Sequence, residues 1–122
     1  MKMFEEDEWY FVSREHVVCA DGFTISIQAS SGHYSVPRGK AEMYRSCELG
    51  FPSEADDLIK EYAEDDTDYT QTVYPYVPAK VIRLLIAKHG GMSQGECPPL
   101  DINYGTYIGW ERVCGGMVYE EE

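Results

Sequence analysis

Residues 16–29, HVVCADGFTISIQA, decide the architecture. Phe23, Ile25 and Ile27 alternate with Thr24, Ser26 and Gln28, and a period of two buries one face of a strand while wetting the other. Residues 16–20 supply a second strand. Asp21-Gly22 lies between the two, a dipeptide that tolerates the positive φ angles of a tight type I′ turn. The stretch predicts a β-hairpin, and with it a sheet built from neighbours in the chain.

Working outward, residues 1–8 read as an acidic, mobile start, and β-like material begins at Trp9, Phe11 and Val12. Residues 30–42 carry Ser30, Ser31, Gly32, Pro37 and Gly39, which is loop composition. Residues 44–49 predict a short strand. Ser53 is then a good N-cap, and Glu54, Asp56 and Asp57 suit the positive end of a helix dipole. Ala55, Leu58, Ile59, Tyr62 and Ala63 recur at helical spacing, with Glu54, Asp57, Glu61 and Glu64 on the opposite side. Residues 72–76 predict a strand, with Pro75 arguing for an edge or a bend. Pro78 opens a second helix, whose residues Val81, Ile82, Leu84, Leu85 and Ile86 face the core and which ends at Gly90 or Gly91 in a left-handed cap. Residues 92–100 read as loop, and the Tyr-, Trp- and Gly-rich residues 104–113 as one or two last strands. The expected fold class is α+β: an antiparallel or mixed sheet of four to six strands with two helices packed on one face, in a single domain over residues 1–122.

Composition agrees with a folded body. The chain has 122 residues, 43% of them hydrophobic and 13% aromatic, enough to bury a core without staples. No apolar leader follows the acidic start, and the apolar run at residues 81–87 is broken by Arg83 and too short to span a bilayer. The expectation is a cytoplasmic protein with no membrane partner, in which Cys19, Cys47, Cys97 and Cys114 are reduced. Their even number leaves a secreted, disulfide-bonded protein as the alternative.

The formal net charge of -12 is unevenly placed. Glu5, Glu6, Asp7 and Glu8 form one acidic block. Glu54, Asp56, Asp57, Glu61, Glu64, Asp65, Asp66 and Asp68 form a second, relieved only by Lys60, and Glu120, Glu121 and Glu122 form a third. These carry -4, -7 and -3, leaving +2 for the rest of the molecule. Such a surface repels nucleic acid and anionic membrane and attracts basic protein surfaces.

Motifs for chemistry are sparse. His16, His33, His89 and the cysteines form no metal-ligand spacing. His16 and Cys19, the nearest pair, would point to opposite faces of a strand. No local motif supports a Cys-His hydrolase, and Glu96 with Asp101 is a pairing that any acidic protein offers. Gly90-Gly91, Gly95 and Gly115-Gly116 do not form a phosphate cradle. The expectation is a protein without catalytic residues, cofactor or metal, its histidines scattered over the surface.

Three segments carry a resemblance: Cys19-Ala-Asp-Gly-Phe-Thr-Ile-Ser-Ile-Gln-Ala-Ser30; Cys47-Glu-Leu-Gly-Phe-Pro-Ser-Glu54 running on to Tyr62-Ala-Glu-Asp65; and Thr72-Val-Tyr-Pro-Tyr-Val-Pro78 leading to Lys88-His-Gly-Gly91. Over residues 17–91 the chain resembles small accessory proteins of bacteriophages and prophages, a group that includes anti-CRISPR proteins. The resemblance implies an inhibitor acting in an infected or lysogenic bacterial cell, and transfers no site residues. The residues themselves point to a carboxylate face that mimics nucleic acid. Glu54, Asp57, Glu61, Glu64, Asp65, Asp66 and Asp68, with Tyr69, Tyr74 and Tyr76 as aromatic anchors, would enter a host protein's basic nucleic-acid-binding groove, such as that of a CRISPR effector. Two alternatives stand beside it. One is a homodimer joined through the Tyr- and Gly-rich C-terminal region. The other is a binder of a small nucleotide signal near Arg38, Lys40 or Arg45.

Overall fold

The computed structural model describes residues 9–103. The expected acidic start, the strands at residues 104–113 and the C-terminal acids lie outside the described residues. Five strands, β1 (Val17–Cys19), β2 (Thr24–Gln28), β3 (Ser46–Gly50), β4 (Val73–Pro78) and β5 (Met92–Gln94), form one sheet in the order β4-β3-β2-β1-β5. Every neighbouring pair is antiparallel. A single α-helix, α1 (Ala79–Lys88), follows β4 directly. The chain is therefore α+β with one helix among the described residues, not two.

The hairpin forms as its alternation demands, with Val17 opposite Ile25 and Val18 opposite Thr24. Its loop has three residues rather than two. Cys19 N–H donates to Phe23 O (2.8 Å), Gly22 N–H donates to Cys19 O (2.9 Å), and Gly22 takes a φ of +96°. That is a turn closed by a left-handed glycine. The tip is widened because Ala20 N–H and Asp21 N–H donate to Gly91 O and His89 O, docking it on the end of α1. The apolar row continues across the sheet from Ile27 to Leu49 to Tyr74. These side chains join Val17, Phe23 and Ile25 from the hairpin and Val81, Ile82 and Leu85 from α1 in one core.

Among the described residues β4 is an edge strand, as Pro75 suggests, and it also bends. Cys47 faces Val77 and Leu49 faces Tyr74, which leaves Pro75 and Tyr76 together opposite Glu48. Tyr76 takes a φ of +55° and its N–H leaves the ladder for Tyr34 O (3.1 Å). This bulge turns the Tyr76 ring outward.

Two expectations are corrected near the ends of the sheet. Residues 92–94, read as loop, pair with β1 as β5. The segment from Trp9, read as the start of β structure, runs irregularly beside the loop after β2, held by Tyr10 N–H to Ser31 Oγ (3.0 Å) and by both amide atoms of the Gln28 side chain on the Arg14 backbone (2.8 Å each).

The helix expected from Ser53 is absent. Ser53 pairs with the end of the hairpin instead, donating its N–H to Thr24 O (2.8 Å) and accepting Thr24 N–H on Oγ (3.0 Å). Tight turns follow, with Ile59 N–H to Asp56 O and Tyr62 N–H to Ile59 O, and only Lys60–Tyr62 forms a 3-10 turn. The apolar stripe breaks where it should begin: Ala55 is exposed and Asp56 buried. Ile59 still reaches the core, and burying it contributes about 1.5–3 kcal/mol, enough to pin the segment without a helical ladder.

α1 ends as its glycines imply. Gly91 N–H donates to Ile86 O (2.9 Å) and Gly90 N–H to Ala87 O (3.0 Å), with φ of +94° and +92°, the bond pattern of a Schellman cap. A Cβ on Gly90 would lie 3.0 Å from the Ala20 Cβ, whereas one on Gly91 would meet nothing within 4 Å. Both substitutions to alanine carry the left-handed strain of about 1–2 kcal/mol. We predict that Gly90→Ala lowers chemical-denaturation stability by more than Gly91→Ala. Equal losses would show that the hairpin tip does not press on the cap.

Candidate functional site

The segment between β3 and β4 is held from inside and charged outside. Pro52, Asp56 and Ile59 are buried. Its far end is tied to β4 by Glu64 N–H to Val73 O (3.0 Å) and Asp65 N–H to Thr72 Oγ1 (3.0 Å). Glu54, Asp57, Glu61, Glu64, Asp65, Asp66 and Asp68 are all exposed. Two of them also order the backbone. Asp65 Oδ1 accepts Thr67 N–H (2.9 Å) and Thr67 Oγ1–H (2.6 Å), and Asp68 Oδ1 accepts Thr70 N–H (3.0 Å) and Thr70 Oγ1–H (2.8 Å). The Thr67 hydroxyl and amide hold the Asp65 carboxyl below its ordinary range. Lys60 Nζ pairs with Asp57 Oδ1 at 2.9 Å and lies 5.2 Å from the Tyr69 ring centroid. The pair lowers the Asp57 carboxyl and raises the Lys60 ammonium, but it is a surface pair and adds little stability.

The three tyrosines expected as anchors have different fates. Tyr69 is half-buried, and its carbonyl accepts the Tyr74 hydroxyl at 2.5 Å. Tyr74 is fully buried, so it is a core residue and not a surface contact. Tyr76 is exposed, but at the β4 bulge against Tyr34 rather than beside the acids.

The residue that organises this region is one that sequence reading left on the surface. His89, the C-cap of α1, is only 5% exposed. Its Nδ1 is 2.7 Å from Asp21 Oδ2 and its Nε2 is 2.7 Å from Asp56 Oδ2. Lys88 Nζ donates to Asp56 Oδ1 (3.0 Å), and the Phe23 ring stacks on the imidazole at 3.9 Å and 7°. Each carboxylate is fixed by a backbone donor as well: Phe23 N–H on Asp21 Oδ1 (2.9 Å) and Leu58 N–H on Asp56 Oδ1 (3.0 Å). Burial alone would lower the imidazole pKa, but the hydrogen bonds and charges of Asp21 and Asp56 outweigh it and raise it. Asp21 is lowered by Phe23 N–H and then by His89. Asp56 is raised by burial and lowered further by Leu58 N–H, His89 and Lys88. With a carboxylate at each ring nitrogen, the protonated form of His89 donates on both sides as an imidazolium tie, and in that form no ring lone pair is left for a metal. The one signal in the sequence is its place at the end of a helix, where a cation is favoured.

The remaining candidates for chemistry are dispersed. Glu96 Oε1 accepts Glu15 N–H (2.9 Å) and Asp101 Oδ1 accepts Asn103 N–H (3.2 Å), so each carboxylate serves a backbone donor. Cys19 and Cys47 are buried, while His16 is exposed. Burial pushes the Cys47 thiol up to about 12 and the Cys97 thiol up to about 11, which keeps both protonated and poorly nucleophilic. Among the described residues no group of three or more His, Cys, Asp and Glu side chains could hold a metal ion, and no helix is long and apolar enough to cross a membrane. No family model matches the chain, and comparisons with curated proteins and with solved structures return no match.

The imidazolium tie fixes a pH window. The His89 contribution is complete below the ordinary histidine value of 6.5 and is lost as pH rises through its raised pKa. The Asp21 and Asp56 contributions are complete above the ordinary 3.8 and are lost as pH falls through their lowered values. The melting temperature is therefore expected to be highest between 3.8 and 6.5 as far as these groups decide it. Asp56→Asn, which leaves the imidazolium short of its buried partner, should cost about 3 kcal/mol. Asp21→Asn should cost much less, because its side chain is 50% exposed. A melting profile flat from mildly acid to alkaline pH, or equal losses for the two substitutions, would contradict this account.

Proposed function

We propose that this protein is a non-enzymatic inhibitor that docks its acidic segment into the basic nucleic-acid-binding groove of another protein. The observation that supports this reading is the outward set of seven carboxylates between Glu54 and Asp68, mounted on a backbone pinned at Ser53, Ile59 and Asp65. A duplex presents one charge per about 1.7 Å of its axis. Carboxylates on an ordered, turn-rich segment present negative charge without the cost of ordering a flexible tail. Lysine and arginine side chains evolved to hold phosphates would meet Glu54, Glu61, Glu64, Asp65, Asp66 and Asp68, with Lys60 as a local brake on Asp57. Tyr69, half-buried at the margin, supplies aromatic contact area. Charge accelerates encounter, and close packing slows release. Through its resemblance to phage accessory proteins, the chain would act on a nucleic-acid-handling defence complex, and a CRISPR effector is the target class to test first.

The test is capture of bacterial nucleic-acid-binding complexes on the immobilised full-length chain. Capture is expected at low salt, with release by high salt and by competing nucleic acid. The triple reversal Asp57→Lys, Glu61→Lys, Glu64→Lys should weaken binding to a captured target at least tenfold and make its salt dependence shallower. Equal affinity and an equal salt slope for this variant would discard the mimicry mechanism.

A further inference from the structure

A second surface has the opposite chemistry. The rings of Trp9 and Phe11 lie against Gly32, so closely that a Cβ there would come within 2.8 Å of the Phe11 ring and 3.3 Å of Trp9. Phe11 stacks on His33 with centroids 5.1 Å apart. The next residue, Tyr34, meets the Tyr76 ring at 5.7 Å and 45°, where the β4 bulge has turned Tyr76 outward. Trp9, Phe11, Tyr34 and Tyr76 are 71%, 54%, 40% and 43% exposed. Two cations lie over tyrosine rings of this region. Arg38 Cζ lies 5.4 Å from the Tyr34 centroid, with its Nη2 donating to Ser31 O (3.2 Å), and Lys40 Nζ lies 5.8 Å from the Tyr10 centroid. No acidic residue occurs between Ser30 and Ala41, although Glu42 follows and the acidic block Glu5, Glu6, Asp7 and Glu8 precedes Trp9 in the sequence. Glu48, which borders the surface, accepts the Tyr34 N–H (2.9 Å) on one oxygen.

We propose that this aromatic–cation face binds single-stranded nucleic acid. Unpaired bases stack on Trp9 and on the Tyr34–Tyr76 pair, and phosphates lie against Arg38 and Lys40. The net charge of -12 argues against nucleic acid for the molecule as a whole, but charge acts locally. The acidic segment is tied at Thr72, just before β4, whereas Arg38 and Lys40 lie at the Tyr34 and Tyr10 rings. An open face of exposed rings suits a chain, which gains from several shallow stacks. A free nucleotide needs a concave site that covers most of its surface.

The proposal is tested by fluorescence anisotropy of a labelled oligothymidylate of about 12 nucleotides, titrated with the full-length chain at low and moderate salt. Salt-dependent binding is expected, with a duplex of the same length and adenosine monophosphate both much weaker. Trp9→Ala and Tyr34→Ala should each lower affinity about tenfold, the loss of one stacked base, while Tyr34→Phe retains it. Lys40→Glu should weaken binding and reduce the salt slope. These side chains are exposed, and circular dichroism of each variant checks that the fold is kept. The Asp57→Lys, Glu61→Lys, Glu64→Lys variant should bind the strand at least as well as the parent, so failure here and failure of the inhibitor reading give different results. No anisotropy change at low salt, unchanged affinity in both ring-to-alanine variants, or displacement by polyglutamate as effective as by unlabelled oligothymidylate would each overturn the proposal.

Discussion

A buried imidazolium shared by two carboxylates holds this molecule together. His89 ends α1, Asp21 forms the tip of the β1–β2 hairpin and Asp56 belongs to the segment after β3. No two of these segments are adjacent in the chain. Hydrophobic burial brings them close, but it is non-directional, and three charged groups with fixed hydrogen-bond geometry set how they meet. Phe23 covers one face of the ring, which removes water from the tie and strengthens it. The same tie settles why Asp56 turns inward while the acids around it turn outward.

That inward turn has a consequence for the acidic surface. A regular helix from Ser53 would have placed four carboxylates in a line at one per turn. The observed chain of tight turns instead spreads seven exposed carboxylates over a segment fixed at both ends. Asp65 and Asp68 bind their own Thr67 and Thr70 backbone donors, so part of the charge also stiffens the segment that displays it. The result is an ordered anionic surface, with less conformational freedom than a mobile acidic tail.

β4 separates this surface from its opposite. At its start Thr72 and Val73 anchor the acidic segment, and at the bulge Tyr76 meets Tyr34, over which Arg38 lies. Pro75 is the local cause, since it has no N–H to offer a ladder. An edge strand that carries a proline and a bulge is also protected from open-ended pairing with other chains. One proline thus links the register of the sheet to the placement of two chemically distinct faces.

Much of the framework is legible in residue order. The hairpin alternation, a strand read at residues 44–49 and found at 46–50, the edge character of Pro75, the apolar face of residues 79–88 and the glycine cap all follow from periodicity and from the φ angles that Gly and Pro permit. The outward position of Glu54, Asp57, Glu61 and Glu64 does not depend on whether residues 53–64 are helical, so it could be read from either assignment. Tertiary structure alone decided that Asp56 and His89 are buried, that Tyr74 is core and Tyr76 surface, and that Trp9 and Phe11 lie against Gly32. Periodicity ranks side chains by polarity and spacing along one element. The partners of His89 lie 68 and 33 residues away, and a charge is worth burying only once those partners are already in place.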